Sequence, residues 1–247
     1  LDEKGQWKDQ MAMPNTAADL SPTAGQMPRL IGLAYASKLY RNLPEIKNSE
    51  KFSDNGNEVA FGTIGDSSTA EGHFFETINA AAVLQIPLAM AVWDDGYGIS
   101  VTKDLQITKA SISEALKGFE KEENTNGIFI HYAKGWDYPG MLSIFSKAVQ
   151  KTREEHIPVL FHIDELTQPY GHSTSGSHER YKSKERLEWE AEFDPLLKMK
   201  EWMIDSDISD NEGLKIIEDY AVSFVKETQQ KAWLNYQTTI RKEKRAA

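Results

Sequence analysis

The chain has 247 residues, of which 40% are hydrophobic and 27% charged, so its composition is that of a globular protein with a sizeable core. Its formal net charge of -10 argues against a nucleic-acid partner, which requires clustered lysine and arginine. Because the chain has no cysteine, disulfides, thiolate metal sites and a cysteine nucleophile are excluded. We expect an intracellular protein, cytoplasmic if its source is bacterial.

The longest apolar region, residues 78–93, is interrupted by Gln85 and Pro87 and is too short to cross a bilayer as a helix. We therefore expect no membrane association. The first residues form neither a signal peptide nor an Arg-rich transit sequence, and the chain begins without methionine. We expect a processed product or a piece of a longer protein.

The first elements in chain order form a strand–helix–strand unit that follows one helix. Turn residues and helical spacing predict a helix at about 25–41, and the apolar run at 58–65 predicts a buried strand. Ser68 with Glu71 three residues later has the pattern of a capping box and predicts a helix start, and the run at 88–93 predicts a second strand. The helical spacing of the first helix is carried by Leu30, Leu33, Ala34, Ser37 and Lys38, and the second helix start is followed by Phe74, Phe75, Ile78, Ala81 and Ala82.

The alternation then repeats, with strands at 127–133 and 158–166 on either side of a helix at 138–155. This order predicts the α/β class, with a mainly parallel sheet and helices on both faces. The later part of the chain is charged and has helical periodicity. We expect a domain at 1–186, lacking its upstream part, and a helical C-terminal extension or linker at 187–247.

Two aspartates follow neighbouring strands of this predicted sheet. Asp66 comes after the first strand and Asp95 after the second, so both carboxylates are expected at one edge, where open α/β sheets bind ligands. Carboxylates suit Mg²⁺, and the helix start near Ser68 suits a phosphate. Alternatively, both aspartates are turn or N-cap residues. The chain has neither a G-x-G-x-x-G fingerprint after a strand nor a P-loop.

The segments around these aspartates resemble a known family. Three separated motifs are similar to the α subunit of 2-oxo-acid dehydrogenases of the branched-chain and pyruvate types. They are the "GD" of residues 65–66 with the later "GYGIS", the early "SPTAGQMPRLIGLAYASKLY" and the late "GHSTSGSHERYKSKERLEWE". The resemblance runs from Ser21 to Glu190. It implies the thiamine-diphosphate-binding fold and oxidative decarboxylation of branched-chain 2-oxo acids such as 2-oxoisovalerate, with pyruvate as the alternative substrate.

The resemblance also implies roles for individual residues. Asp66, Asp95 and the backbone carbonyl of Tyr97 match the ligands of Mg²⁺. His172 matches an active-site histidine, and Ser173, also placed in the catalytic loop, matches a serine phosphorylated in mitochondrial relatives. The other residues implied to contact thiamine diphosphate are Ser21, Thr23, Gly65, Ser67, Ser68 and Ile99.

Three positions depart from the family pattern. The first is Ser67 in place of a motif glycine, the second is the Asp94–Asp95 pair in place of an Asn–Asn pair, and the third is Gln168 in place of an arginine that pairs with phosphate. His73 and Phe75 also stand where the family commonly has an acidic residue and a histidine. The additional carboxylate is expected to strengthen cation binding but to place negative charge near an anionic diphosphate. Gln168 cannot supply the charge of arginine. These changes put cofactor affinity in question.

The family pattern implies partners as well as a cofactor. A β subunit, or a β half of the same polypeptide, supplies the glutamate that activates thiamine diphosphate, and a lipoyl-bearing acyltransferase core accepts the acyl group. We therefore expect this chain to be inactive alone, to form a heterotetramer, and to lie in the mitochondrial matrix if its source is eukaryotic. Two other classes remain open: a non-catalytic structural or regulatory α-like module, and a Mg²⁺-dependent phosphotransfer enzyme.

Overall fold

A computed structural model describes residues 3–6, 8–9, 12, 22–172 and 177–246. Two of the predicted site residues, Ser21 and Ser173, lie outside these residues. The chain divides into two compact units, Leu1–Pro195 and Leu196–Ala247. In the part of the chain that is described, none of the helices combines the length and the apolar character needed to traverse a bilayer.

The first unit contains a four-stranded parallel sheet. Its strands are β1 (Ala60–Gly65), β2 (Leu88–Trp93), β5 (Phe129–Lys134) and β6 (Val159–Asp164), and the short strands β3 (Tyr97–Gly98) and β4 (Val101–Thr102) form a separate hairpin. Its helices are α1 (Gln26–Asn42), α2 (Gly72–Leu84), α3 (Ile112–Ala115), α4 (Tyr138–Glu155) and α5 (Lys184–Glu192). The strand order is β1-β2-β6-β5 and every neighbouring pair is parallel, which confirms the α/β class.

Both faces of the sheet are covered, and β2 shows how. Successive side chains of a strand point to opposite faces. Leu88, Met90 and Val92 belong to a core cluster shared with α1 and α2, whereas Ala89 and Ala91 belong to a second cluster shared with α4. The predicted arrangement of helices on both faces is therefore confirmed.

The capping box predicted at the start of α2 is wrong. Ser67–Ala70 forms a 3₁₀ turn, α2 begins only at Gly72, and neither Ser68 nor Glu71 caps the helix through its side chain. The reason is a tight turn directly after β1, in which the Thr69 amide donates to the carbonyl of Asp66 at 2.9 Å. Ser68 therefore lies within the turn and not at a helix N-cap.

Two large apolar residues of the predicted helices are exposed. Leu33 of α1 is 50% exposed and Phe75 of α2 is 39% exposed. The buried face of α1 includes Leu30 and Ala34. Leu33 precedes Ala34 by one residue, which is more than a quarter of a turn on a helix, and it therefore faces outward.

The second unit is helical. It contains α6 (Pro195–Asp205) and α7 (Asn211–Ala246), and Lys200 of α6 forms an ion pair with Glu218 of α7 at 2.8 Å. The boundary predicted at residue 186 falls inside α5, which belongs to the first unit.

Candidate functional site

Acidic residues collect at the carboxyl edge of the sheet. Asp66 follows β1, Asp94 and Asp95 follow β2, and Asp164 ends β6. Backbone hydrogen bonds hold these positions together, because the Asp66 amide donates to the Trp93 carbonyl at 3.0 Å and the Asp94 amide donates to the Ile163 carbonyl at 2.8 Å. The sheet thus brings Asp66 and Asp95 to one edge.

A cavity of about 630 Å³ opens at this edge. It is lined by all the predicted site residues that the structure describes: Thr23, Gly65, Asp66, Ser67, Ser68, Asp95, Tyr97, Ile99 and His172. Lining residues that were not predicted as site residues are Trp93, Gly98, Gln106, Leu166, Thr167 and Gln168. Of these, Gln168 is distinguished by the family pattern and Gly98 lies in the "GYGIS" segment, whereas no local motif distinguishes the other four, which lie at strand ends or in loops.

Asp66 carries a buried carboxylate. The residue is 3% exposed, and its Oδ2 atom is buried and has no hydrogen-bond partner among the residues that the structure describes. Burial, together with the charges of Asp94 and Asp95, raises the pKa of Asp66 to about 7. The Oγ atom of neighbouring Ser67 is also buried without a partner.

Asp95 lies on the β2 side of the same cavity. Its Oδ1 atom accepts a hydrogen bond from the Tyr97 amide at 3.2 Å. Burial raises the pKa of Asp95, although the charges of Lys182 and Arg186 act in the opposite direction. Mg²⁺ prefers hard oxygen ligands, so the unpartnered Asp66 oxygen and the Asp95 carboxylate fit a divalent cation. The Tyr97 carbonyl stays a predicted ligand.

The negative charge of the Asp94 carboxylate is compensated by neighbouring side chains. It is fully buried, and its Oδ2 atom accepts hydrogen bonds from His162 Nε2 at 2.8 Å and from Lys103 Nζ at 2.9 Å. Burial raises the pKa of Asp94, but these two hydrogen bonds outweigh it, so the pKa lies below its usual value. The extra negative charge expected from the Asp94–Asp95 pair is therefore countered by Lys103.

Helix α5 is attached to the same edge by a buried charge cluster. Lys182 Nζ donates to both oxygens of Glu190 at 2.7 and 2.8 Å, and Arg186 Nε donates to Glu190 at 2.8 Å. Arg186 Nη2 also donates to the carbonyl of Asp95 at 2.9 Å. These contacts fix the turn that carries Asp95, and they explain why α5 belongs to the first unit.

His172 lies at the mouth of the cavity with its side chain exposed. Its backbone is hydrogen-bonded to the hydroxyl of Tyr181, whose ring centre is 5.6 Å from that of Tyr97. The histidine therefore faces the same space as Asp66 and Asp95. Its catalytic role stays a prediction.

The cavity is better suited to a cation than to an anion. Among the described residues, none of the lining side chains is a lysine or an arginine, and Gln168 lies where the family pattern has arginine. The backbone amide of Ser67, predicted to face a diphosphate, is hydrogen-bonded to the Asp66 carboxylate. An anionic ligand would therefore depend on a bound cation for attraction.

Comparison with known proteins gives one family match and several relatives. The model of the family "Dehydrogenase E1 component" matches residues 7–240. Pyruvate dehydrogenase E1 component subunit alpha of Rickettsia bellii is 26% identical over 204 residues, or 82% of this chain and 55% of that protein. The mitochondrial 2-oxoisovalerate dehydrogenase subunit alpha 2 of Arabidopsis thaliana is 29% identical over 182 residues, or 73% of this chain and 34% of that protein.

A third relative is the 2-oxoisovalerate dehydrogenase subunit alpha of Bacillus subtilis. It is 24% identical over 213 residues, which cover 86% of this chain and 58% of that protein. The chain thus spans about half the length of the curated relatives it matches.

Proposed function

Because the family match extends over residues 7–240, the chain belongs to the dehydrogenase E1 component family, and we propose on this premise that it is the α-type part of a thiamine-diphosphate-dependent 2-oxo-acid dehydrogenase. The observation that carries the proposal is the buried, unpartnered Asp66 Oδ2 atom beside Asp95 in a cavity of about 630 Å³. This combination suits a cation that holds a diphosphate.

The proposed roles combine the lining of the cavity with the family resemblance. Asp66, Asp95 and the Tyr97 carbonyl would hold Mg²⁺, and Thr23 and Ile99 would line the space for the organic part of the cofactor. When bound, thiamine diphosphate supplies the electron sink for decarboxylation. Asp66 and Asp95 would hold the metal ion that binds the diphosphate, and His172 at the mouth would move a proton to or from the reacting group.

The proposed substrate is a branched-chain 2-oxo acid such as 2-oxoisovalerate, because the segment from Gly171 to Ser183 resembles that type. Relatives named for 2-oxoisovalerate and for pyruvate are both similar to the chain, so pyruvate is the competing substrate. Turnover of the two acids by the chain with its β partner separates them. A higher kcat/KM for 2-oxoisovalerate supports the proposal, and a higher value for pyruvate contradicts it.

The proposed partners are a β subunit, or a β half of a longer polypeptide, and a lipoyl-bearing acyltransferase core. The proposed location is the cytoplasm of a bacterium or the mitochondrial matrix. The chain alone should not decarboxylate 2-oxo acids, and activity should appear when the β partner is added with Mg²⁺ and thiamine diphosphate. Activity of the chain alone would contradict the partner proposal.

A second candidate is a non-catalytic α-like module. The observation that favours it is the absence of a lysine or arginine side chain from the described cavity lining, together with Gln168. Such a module would bind the β partner without binding the cofactor. Pull-down of the β partner combined with no Mg²⁺-dependent cofactor binding would identify it.

A further inference from the structure

The acidic residues of the sheet edge differ in their partners. Asp66 Oδ2 has none. Asp94, by contrast, accepts hydrogen bonds from His162, Lys103 and the Gly96 amide, all at 2.8 to 2.9 Å. The edge therefore contains one carboxylate that lacks a positive partner and another that is fully compensated.

Lys103 connects two strand ends of this edge. Its Nζ atom lies 2.9 Å from Asp94 Oδ2, after β2, and 3.1 Å from Asp164 Oδ1, at the end of β6. The other oxygen of Asp164 accepts from the Tyr132 hydroxyl at 2.9 Å. The lysine ammonium is thus held between two carboxylates whose remaining oxygens are also occupied.

The space around this ammonium has the dimensions of a metal site. One ligand atom each from Asp94, His162 and Asp164 lie within 4.8 Å of one another. A divalent ion at these atoms would compete with the Lys103 ammonium, which already supplies a positive charge and two hydrogen bonds. The edge therefore offers two acidic positions, and one of them is filled by a side chain.

We propose that Lys103 is a built-in cation that fills the position between Asp94 and Asp164 and thereby confines a divalent ion to Asp66 and Asp95 at the cavity. The second half of this statement rests on the proposed function of the Asp66–Asp95 site. The first half concerns only Lys103 and its partners. Lys103 is a positioning residue, because it acts on the bound ion through the acidic groups that it occupies.

The test counts bound Mn²⁺ ions by electron paramagnetic resonance of the free ion during titration of the purified chain. The wild type and Lys103→Arg, which keeps the charge, should bind one ion each. Lys103→Met removes the ammonium and should bind two. Lys103→Gln is a second uncharged variant, and circular dichroism selects the variants that are folded.

Two double variants identify which position is filled. Asp94→Asn combined with Lys103→Met should return the count to one, because the new position loses a ligand. Asp66→Asn combined with Lys103→Met should also bind one ion, now between Asp94 and Asp164. A merely structural lysine would not change the number of bound ions.

The outcomes separate this inference from the proposed function. If the wild type binds none and Lys103→Met binds one, the Asp66–Asp95 site fails while the role of Lys103 stands. If the folded uncharged variants bind the same number of ions as the wild type, the inference is overturned. It is also overturned if the wild type already binds a second ion that is lost in Asp94→Asn.

Discussion

The ionisation of Asp66 is subject to two opposing effects. Burial favours the protonated carboxyl, whereas binding of a divalent cation favours the ionised carboxylate. Its pKa of about 7 lies above the ordinary value of 3.8. The folded protein therefore keeps a proton on Asp66 that the unfolded chain releases, and the resulting stability is present at low pH and is lost as the pH rises from about 4 through about 7. Above that window the ionised, metal-free carboxylate destabilises the fold.

We expect Asp66→Asn to make the metal-free protein more stable at pH 8, by on the order of 2 to 4 kcal/mol, because the amide carries no buried charge. The advantage should shrink as the pH falls towards 4. Urea denaturation without metal at several pH values measures the difference. Added Mg²⁺ should stabilise the wild type and leave the variant unchanged, and equal stability of the two proteins at pH 8 would contradict this account.

His172 is expected to affect turnover and not the fold. Its side chain is exposed at the cavity mouth, so His172→Ala should leave the free energy of unfolding within about 0.5 kcal/mol of the wild type. Turnover with the β partner should fall about 100-fold or more, with Mg²⁺ and cofactor affinity changed only a few-fold. His73→Ala, an exposed histidine on α2, is the control. A matching loss of cofactor affinity would assign His172 to binding instead of proton transfer.

At the scale of elements, α5 depends on a buried ion pair. Glu190→Gln removes the charge that compensates Lys182, which is 5% exposed, so we expect a loss of stability of about 3 kcal/mol. Glu188→Gln on the same helix is the matched control, since its partner Lys184 is exposed and 3.4 Å away, and it should cost less than about 0.5 kcal/mol. Urea denaturation at pH 7 compares the two, and equal costs would show that the buried pair does not anchor α5.

The bounds of some elements could be predicted from the sequence, whereas those of others could not. The bounds of α4 could be predicted from local signals: helical spacing of apolar residues, Asp137 at the N-cap and Pro139 in the first turn. The carboxylates at the strand ends could be placed because parallel strands finish at one edge. The 3₁₀ turn after Asp66 could not be predicted, because the capping pattern at Ser68 depends on the types and spacing of residues and not on the conformation of the backbone.

The charge networks could not be predicted, because they join residues that are distant in sequence. Lys103 and Asp164 are 61 residues apart, and Arg186 and Asp95 are 91 apart. No periodicity or motif relates such positions. The sequence therefore indicated an additional negative charge at Asp94, while its compensation by Lys103 became visible only in the fold.

In the whole molecule, the sheet brings acidic residues from the ends of three strands to one edge. These residues differ in the groups that compensate their charge. Asp94 and Asp164 are bridged by Lys103, Asp95 faces the positive charges of Lys182 and Arg186, and Asp66 has an unpartnered oxygen. This distribution suits the proposed cation-dependent cofactor site, in a chain whose formal net charge is -10. We propose that the site holds Mg²⁺ and thiamine diphosphate.

The most direct measurement is calorimetric titration of thiamine diphosphate into the chain with its β partner, with and without Mg²⁺, for the wild type and Asp66→Asn. The account predicts saturable binding that requires Mg²⁺ and is lost in Asp66→Asn. Binding that is unchanged in Asp66→Asn, or no binding by the wild type in the presence of Mg²⁺, would contradict it.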